Sequence, residues 1–268
     1  MKINVLYIAI ILNLFIPAFS QDHPYTRDMN AINWLDFKEL VPGKIQTVLL
    51  PVGTVEAHGV ANNGADNTVP DAMARELARR LDAMHAPVVP YGVTTSLTAF
   101  AGGLRISPEA FEPYVTEVIY GLAKTGFRNV VVLNGHGPNF QYLEEACASV
   151  SQKTGVRTLV LNWWDLTADI TQDVFGLDGG HAGINETAAV QATNPEFIRM
   201  EHYKKEMAWW RKQGMTAYPF PSSIILYKPE EGYPDFDTEK AEVFYRRVID
   251  RLEELIQTTI DRWNTAGL

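Results

Sequence analysis

The chain has 268 residues, 46% hydrophobic and 21% charged, which excludes a disordered or fibrous protein. Its 32 acidic residues outnumber 23 basic ones, for a net charge of −9, and this argues against nucleic acid or an anionic membrane surface as partner. The single cysteine, Cys147, excludes an intramolecular disulfide. On its helical pattern it reads as a small buried hydrophobe, so stability must come from the core and any bound metal.

In chain order, residues 1–20 combine Lys2, an apolar run over 3–16, and small residues Ala18 and Ser20 ahead of Gln21. That is the pattern of a secretory signal peptide, and the run is short of the roughly 20 residues a membrane span needs. The expectation is a secreted or periplasmic protein whose mature part, 21–268, is one domain, since no linker divides it. A polar arm over 22–35 leads to a short helix at 34–40, stopped by Pro42-Gly43. Residues 47–52 form an apolar, β-prone run suited to a buried parallel strand. Thr68-Val-Pro-Asp71 predicts a helix start, with Thr68 as cap and Pro70 in the first turn, running to about Met84 with His85 as an end cap. Residues 86–91 read as a second strand. The long loop 92–106, rich in Gly, Thr and Ser, reads as functional or as a lid.

Ser107-Pro108 opens a helix to about Thr125, stopped by Gly126. The strand 127–134 runs into Gly135-His136-Gly137-Pro138-Asn139. A helix over 140–153, closed by Gly155, and a strand over 156–161, ending in Asn162-Trp163-Trp164-Asp165, follow. This alternation predicts an α/β fold, a three-layer α/β/α arrangement with a mostly parallel central sheet. His181-Ala-Gly-Ile-Asn-Glu186 reads as the opening of a further helix. The aromatic-rich stretch 201–234 reads as core packing or as an oligomer contact. The last helix, 238–263, has an apolar stripe that packs on the body.

In an open parallel sheet, ligands bind beyond the carboxyl ends of the strands. Glu56 and His58 follow the strand 47–52, His136 follows 127–134, and Trp163, Trp164 and Asp165 follow 156–161. In extended chain, residues two apart point the same way, so Glu56 and His58 can face one pocket. Asp66 returns just ahead of a helix, where it could serve as a cap, but a carboxylate can also bridge two cations. Imidazoles with carboxylates suit zinc, manganese or iron and not calcium. Asn134 and Asn139 suit hydrogen bonds to loop backbone or substrate. His-Glu-x-x-His, Gly-x-Ser-x-Gly and a phosphate loop are absent, which removes zincins, serine α/β-hydrolases and nucleotide hydrolases of the P-loop type.

Four ordered stretches then stand out: Leu50-Pro-Val-Gly-Thr-Val-Glu56-Ala-His58-Gly, Gly64-Ala-Asp66-Asn-Thr, Leu133-Asn-Gly-His136-Gly-Pro-Asn, and His181-Ala-Gly-Ile-Asn-Glu186-Thr. Together they resemble the signature stretches of the creatininase (creatinine amidohydrolase) family. The resemblance implies a two-metal centre, hydrolysis of a non-peptide C–N bond in a cyclic amide or formamide, a small-molecule amide substrate and a homo-oligomer, commonly a hexamer. It implies that Glu56, Asp66 and His136 hold one metal, that His58 and Asp66 hold the other, that His181 transfers protons, and that Glu186 lies in the active site. One departure stands at Gly137-Pro138, where creatininase itself carries an aromatic residue and a metal-binding glutamate. The second metal lacks that ligand here, and Glu186 or water is the replacement to look for. Creatinine is therefore not the expected substrate. Two other readings stay open on the residues: the same centre cleaving a lactone or a peptide terminus, and a metal- or solute-binding protein with little or no hydrolysis.

Overall fold

The computed structural model describes residues 26–268, so the expected leader 1–20 and residues 21–25 lie outside the described residues. The central sheet has four strands in the order β2-β1-β3-β4, all parallel. They are β1 (Thr47–Val52), β2 (Met84–His85), β3 (Asn129–Asn134) and β4 (Arg157–Asn162). β1 and β3 are buried along their whole length, as an apolar strand covered on both faces must be.

Side chains of these strands alternate between two cores. Val48, Leu50, Val52, Val130 and Val132 pack against α3 (Pro108–Lys124) and α4 (Phe140–Thr154). Leu49, Val131 and Leu133 face α2 (Ala65–Arg80), α7 (Ile184–Thr193) and α8 (Thr238–Thr265). This is the expected three-layer α/β/α arrangement. The short helix α1 (Trp34–Leu40) is capped by Asn33, whose side chain accepts from the N–H groups of Leu35 and Asp36. Two further short helices, α5 (Trp163–Leu166) and α6 (Ala168–Phe175), follow β4.

Register determines where the site can form. Val52 pairs with Asn134, and Asn134 with Asn162, so three strands end level. The chain leaving each one enters the same space above the sheet.

Several boundaries differ from those expected. α2 begins at Ala65, not at Thr68, because Gly64 O already accepts from the N–H groups of Asn67 and Thr68. Pro70 therefore lies inside the helix, and Asp66, not Asp71, is the acid of its first turn. The helix ends at Arg80, and Met84–His85 is a strand. His85 is not an end cap: it is buried and its Nε2 lies 2.8 Å from Asp71 Oδ1. Residues 86–91 contribute one isolated bridge, Val89 with Val52, instead of a strand.

The helix expected after Gly180 opens at Ile184, as α7, with His181 ahead of it. His181 lies in β5 (Gly180–His181), which with β6 (Ala208–Trp210) and β7 (Ile224–Leu226) makes a second sheet in the order β5-β7-β6. Two of its three strands, β6 and β7, come from the aromatic-rich stretch, and the sheet meets the loop after β1: Gly59 N donates to Ser223 O at 3.2 Å. A Cβ on Gly59 would come within 2.8 Å of the Ile224 side chain.

Candidate metal centre

Six side chains converge above the level strand ends: Glu56 and His58 from the segment after β1, Asp66 from the first turn of α2, His136 after β3, His181 in β5, and Glu186 in α7. All six are the residues expected from sequence. Their donor atoms form three overlapping groups with the spacing of metal-binding sites: Glu56, Asp66 and His136; His58, Asp66 and Glu186; and Glu56, His58 and His181.

Asp66 is the centre of the cluster. Its Oδ1 lies 2.8 Å from His58 Nε2, and its Oδ2 lies 2.9 Å from His136 Nδ1. One carboxylate thus offers each oxygen to a different imidazole. Glu56 Oε1 approaches His136 Nδ1 at 3.3 Å, and Glu186 Oε2 lies 3.8 Å from His58 Nε2.

Two glycines bring Asp66 to this point. A Cβ on Gly53 or Gly135 would lie 2.1 or 2.0 Å from the Asp66 carbonyl oxygen, so only glycine lets the ends of β1 and β3 close on α2. Pro70, four residues on, has no N–H to claim that carbonyl. The asparagines serve the backbone. Asn134 Nδ2 donates to His136 O at 2.7 Å, and Asn139 holds Gly53 O and Val93 N.

The ring nitrogens facing away from the carboxylates meet backbone carbonyls. His58 Nδ1 donates to Glu56 O at 3.0 Å, His136 Nε2 to Val93 O at 3.2 Å, and His181 Nε2 to Ala57 O at 2.8 Å. A carbonyl can only accept, so each of these nitrogens carries a proton. The other nitrogen of each ring is thereby aimed into the cluster, which is how metal-ligating imidazoles are usually fixed. His181 Nδ1 differs from the other two. Its nearest carboxylate oxygens are Glu56 Oε1 at 3.6 Å and Glu186 Oε2 at 3.9 Å, beyond hydrogen-bond length.

Burial and charge act on the cluster together. Burial lowers the imidazoles of His58 and His136, but the neighbouring carboxylates outweigh it and push both up to about 10. Burial raises the Asp66 carboxyl, but His58 and His136 hold it well below the usual carboxylate range. Glu186 is raised, chiefly by burial, although His181 and His58 oppose the shift. Three carboxylates and two charged imidazoles packed this closely form a set that divalent cations would satisfy, because a cation can replace the imidazolium protons and offset the carboxylates. The donors are imidazole and carboxylate only, which fits zinc, manganese or iron.

The cluster floors a cavity of about 570 Å³. Trp164 lines it, whereas Trp163 turns into the core against Phe244. Thr95, Ser96 and Leu97 bring the loop 92–106 to its wall. Pro138 also lines it and offers no ligand atom. Sequence reasoning missed Arg211, Tyr218 and Tyr227, which also line the cavity. The aromatic density of 201–234 was the available signal, but it does not reveal which residues turn toward the cavity.

A sequence model of the family described as "Creatininase: Creatinine amidohydrolase" matches residues 30–256. Among characterised relatives, the 3-dehydro-scyllo-inosose hydrolase of Thermotoga maritima is 28% identical over 259 residues, covering 82% of this chain and 80% of its own. The creatinine amidohydrolase of Pseudomonas putida is 25% identical over 193 residues, covering 65% of this chain and 74% of its own. A crystal structure of creatininase aligns with a TM-score of 0.73 at 21% identity, over 87% of this chain and 98% of that one. A manganese form of creatininase aligns at 0.72. At that identity the structural likeness speaks for the fold.

Proposed function

The chain belongs to the creatininase family, and from this premise we infer a metal-dependent amidohydrolase that cleaves a non-peptide C–N bond, in a cyclic amide or a formamide. The observation that carries the reading is the divided carboxylate of Asp66, with one oxygen facing His58 and the other His136. Glu56, Asp66 and His136 would hold one divalent ion, and His58, Asp66 and Glu186 the second. Glu186 thus supplies the donor that Pro138 cannot. Zinc suits the set best, with manganese or iron as alternatives. When bound, such ions lower the pKa of a water toward neutrality and polarise the scissile carbonyl.

The chain's own groups do the rest. The carbonyls of Glu56 and Val93 hold the His58 and His136 rings in the tautomer that a metal needs. His181 has its Nε2 proton committed to Ala57 O, so its Nδ1 is the atom that can take a proton from the attacking water and return it to the leaving nitrogen. Trp164 and Tyr227 wall the cavity.

The reading includes export by the leader 1–20, tested by a mature N-terminus at Gln21, and a homo-oligomer, a hexamer by resemblance to the family. Exposed aromatics such as Trp34, 72% exposed, support the oligomer.

The test is removal of metal by chelation and screening of amides and formamides before and after. Hydrolysis disappears on chelation and returns with about two ions per chain. Glu56→Gln and Glu186→Gln each lower kcat by at least about a hundredfold with the fold intact. Full activity of the metal-free protein would sink the reading, and so would one tightly held ion with no turnover. The breadth of similarity to the Thermotoga maritima relative favours one second reading, in which the same centre acts on 3-dehydro-scyllo-inosose or a related compound, and the same screen includes it.

A further inference from the structure

Arg211 follows β6 directly and lines the cavity that holds the carboxylate–imidazole cluster. Among the described residues of that lining it is the one lysine or arginine. Three contacts position it and none neutralises it. Its backbone N–H donates to Leu226 O at 2.8 Å, which ties it to β7. Its Nε donates to Met215 O at 3.1 Å, and its guanidinium lies 5.9 Å from the Phe220 ring centroid. Among the described residues no carboxylate pairs with it. Arg75 and Arg80, on the outside of the molecule, are each paired with two or more acids.

The neighbouring acids of the cavity have partners of their own. Asp178 is held by Lys228 and Gln172, and Asp165 accepts from Asn162 Nδ2 at 3.1 Å. The Tyr227 hydroxyl feels the charges of Glu186, Arg211 and Asp165, so the guanidinium and the acidic floor act on one group. One cavity therefore holds both the cluster of Asp66 and a positioned cation without a counter-charge. A guanidinium presents a planar fork of donors that matches a carboxylate.

We propose that Arg211 is a specificity-determining residue that receives a carboxylate carried by the substrate, while the scissile amide lies against the Asp66 cluster. This rests on the hydrolase reading and names its substrate class: an amide or formamide bearing a carboxylate on the side away from the bond that is cut.

The test uses binding of small probes to the zinc-loaded protein, followed by calorimetry, so that no turnover is needed. 4-Carboxybutanohydroxamate and 4-carbamoylbutanohydroxamate share a hydroxamate that seeks the zinc and differ at the other end, carboxylate against neutral amide. The wild-type protein binds the carboxylate probe at least about tenfold more tightly, the margin expected of a charge-assisted pair. Arg211→Gln removes that preference with zinc content unchanged, and Arg211→Lys, which keeps the charge without the fork, retains part of it. Equal binding of the two probes by the wild-type protein overturns the proposal even if a variant fails to fold. An undiminished preference in folded Arg211→Gln overturns it as well, as does tighter binding of 5-aminopentanohydroxamate than of the carboxylate probe. Failure of the hydrolase reading has a different signature: no amide is turned over, whatever the probe preference.

Discussion

At Asp66 a single side chain faces two imidazoles, and each imidazole has its remaining nitrogen on a backbone carbonyl. Without metal, both nitrogens of His58 and of His136 therefore face acceptors, and both rings carry a positive charge, with pKa values pushed up to about 10. A metal must take the place of one proton on each ring. Zinc uptake at pH 7.5 thus releases protons, and apparent affinity rises with pH toward about 10. Calorimetry in buffers of different ionisation enthalpy measures this, and a buffer-independent heat would contradict it. In the metal-free protein the sign is opposite for stability: the raised imidazoles stabilise the fold fully below their ordinary value of 6.5, and that contribution is lost as pH rises toward about 10. Gly135 makes a second residue-scale case. A Cβ there would meet the Asp66 carbonyl at 2.0 Å. Gly135→Ala is expected to cost about 3 kcal/mol or more and to weaken zinc binding as well, since relief of the clash must move Asp66. Denaturant unfolding and a zinc titration report the two effects separately.

Among the elements, β1, β3 and β4 were visible in sequence because buried parallel strands are near-continuous apolar runs bounded by glycine, proline and polar turns. The start of α2 was not. Thr68 and Pro70 carry strong helix-start signals, yet tertiary contacts draw the helix start back to Ala65, where the Asp66 carboxylate can reach both histidines. α8 shows the opposite balance, since its stripe was legible. Ala241, Phe244, Val248, Leu252 and Ile256 are all buried against α2, α7 and the sheet. Phe244 lies 5.3 Å from the Phe175 ring and 6.4 Å from Trp163. Phe244→Ala is expected to cost about 3–5 kcal/mol, with metal affinity unchanged once the protein is folded. A loss under 1 kcal/mol in urea unfolding would show that α8 does not depend on this contact.

Across the whole molecule, the proposed ligands come from four separate places: the segment after β1, α2, the turn after β3, and α7. Bound ions would join these four places through one point. Zinc in excess of its dissociation constant is therefore expected to raise the melting temperature, by about 2.7 kcal/mol of stability at a hundredfold excess. A chelator reverses this, and a melting temperature indifferent to zinc would mean that the cluster does not hold the metal. The cavity is also a whole-molecule property. Its acidic floor comes from the segment after β1, from α2 and from α7, and Arg211 and Tyr227 come from the ends of β6 and β7 in the second sheet.

The sequence by itself determined the layered α/β class and the family, and singled out the six residues Glu56, His58, Asp66, His136, His181 and Glu186 that the fold brings together, because periodicity and short ordered motifs are local properties of the chain. Only the tertiary structure brings Glu186 beside His58, aims the ring nitrogens at the cluster, and folds an aromatic stretch into strands that carry Arg211 to the cavity. Those depend on distances between residues tens to more than a hundred positions apart, such as Glu186 with His58 and His181 with Ala57. No spacing rule within one element encodes them, since packing of one element on another sets them.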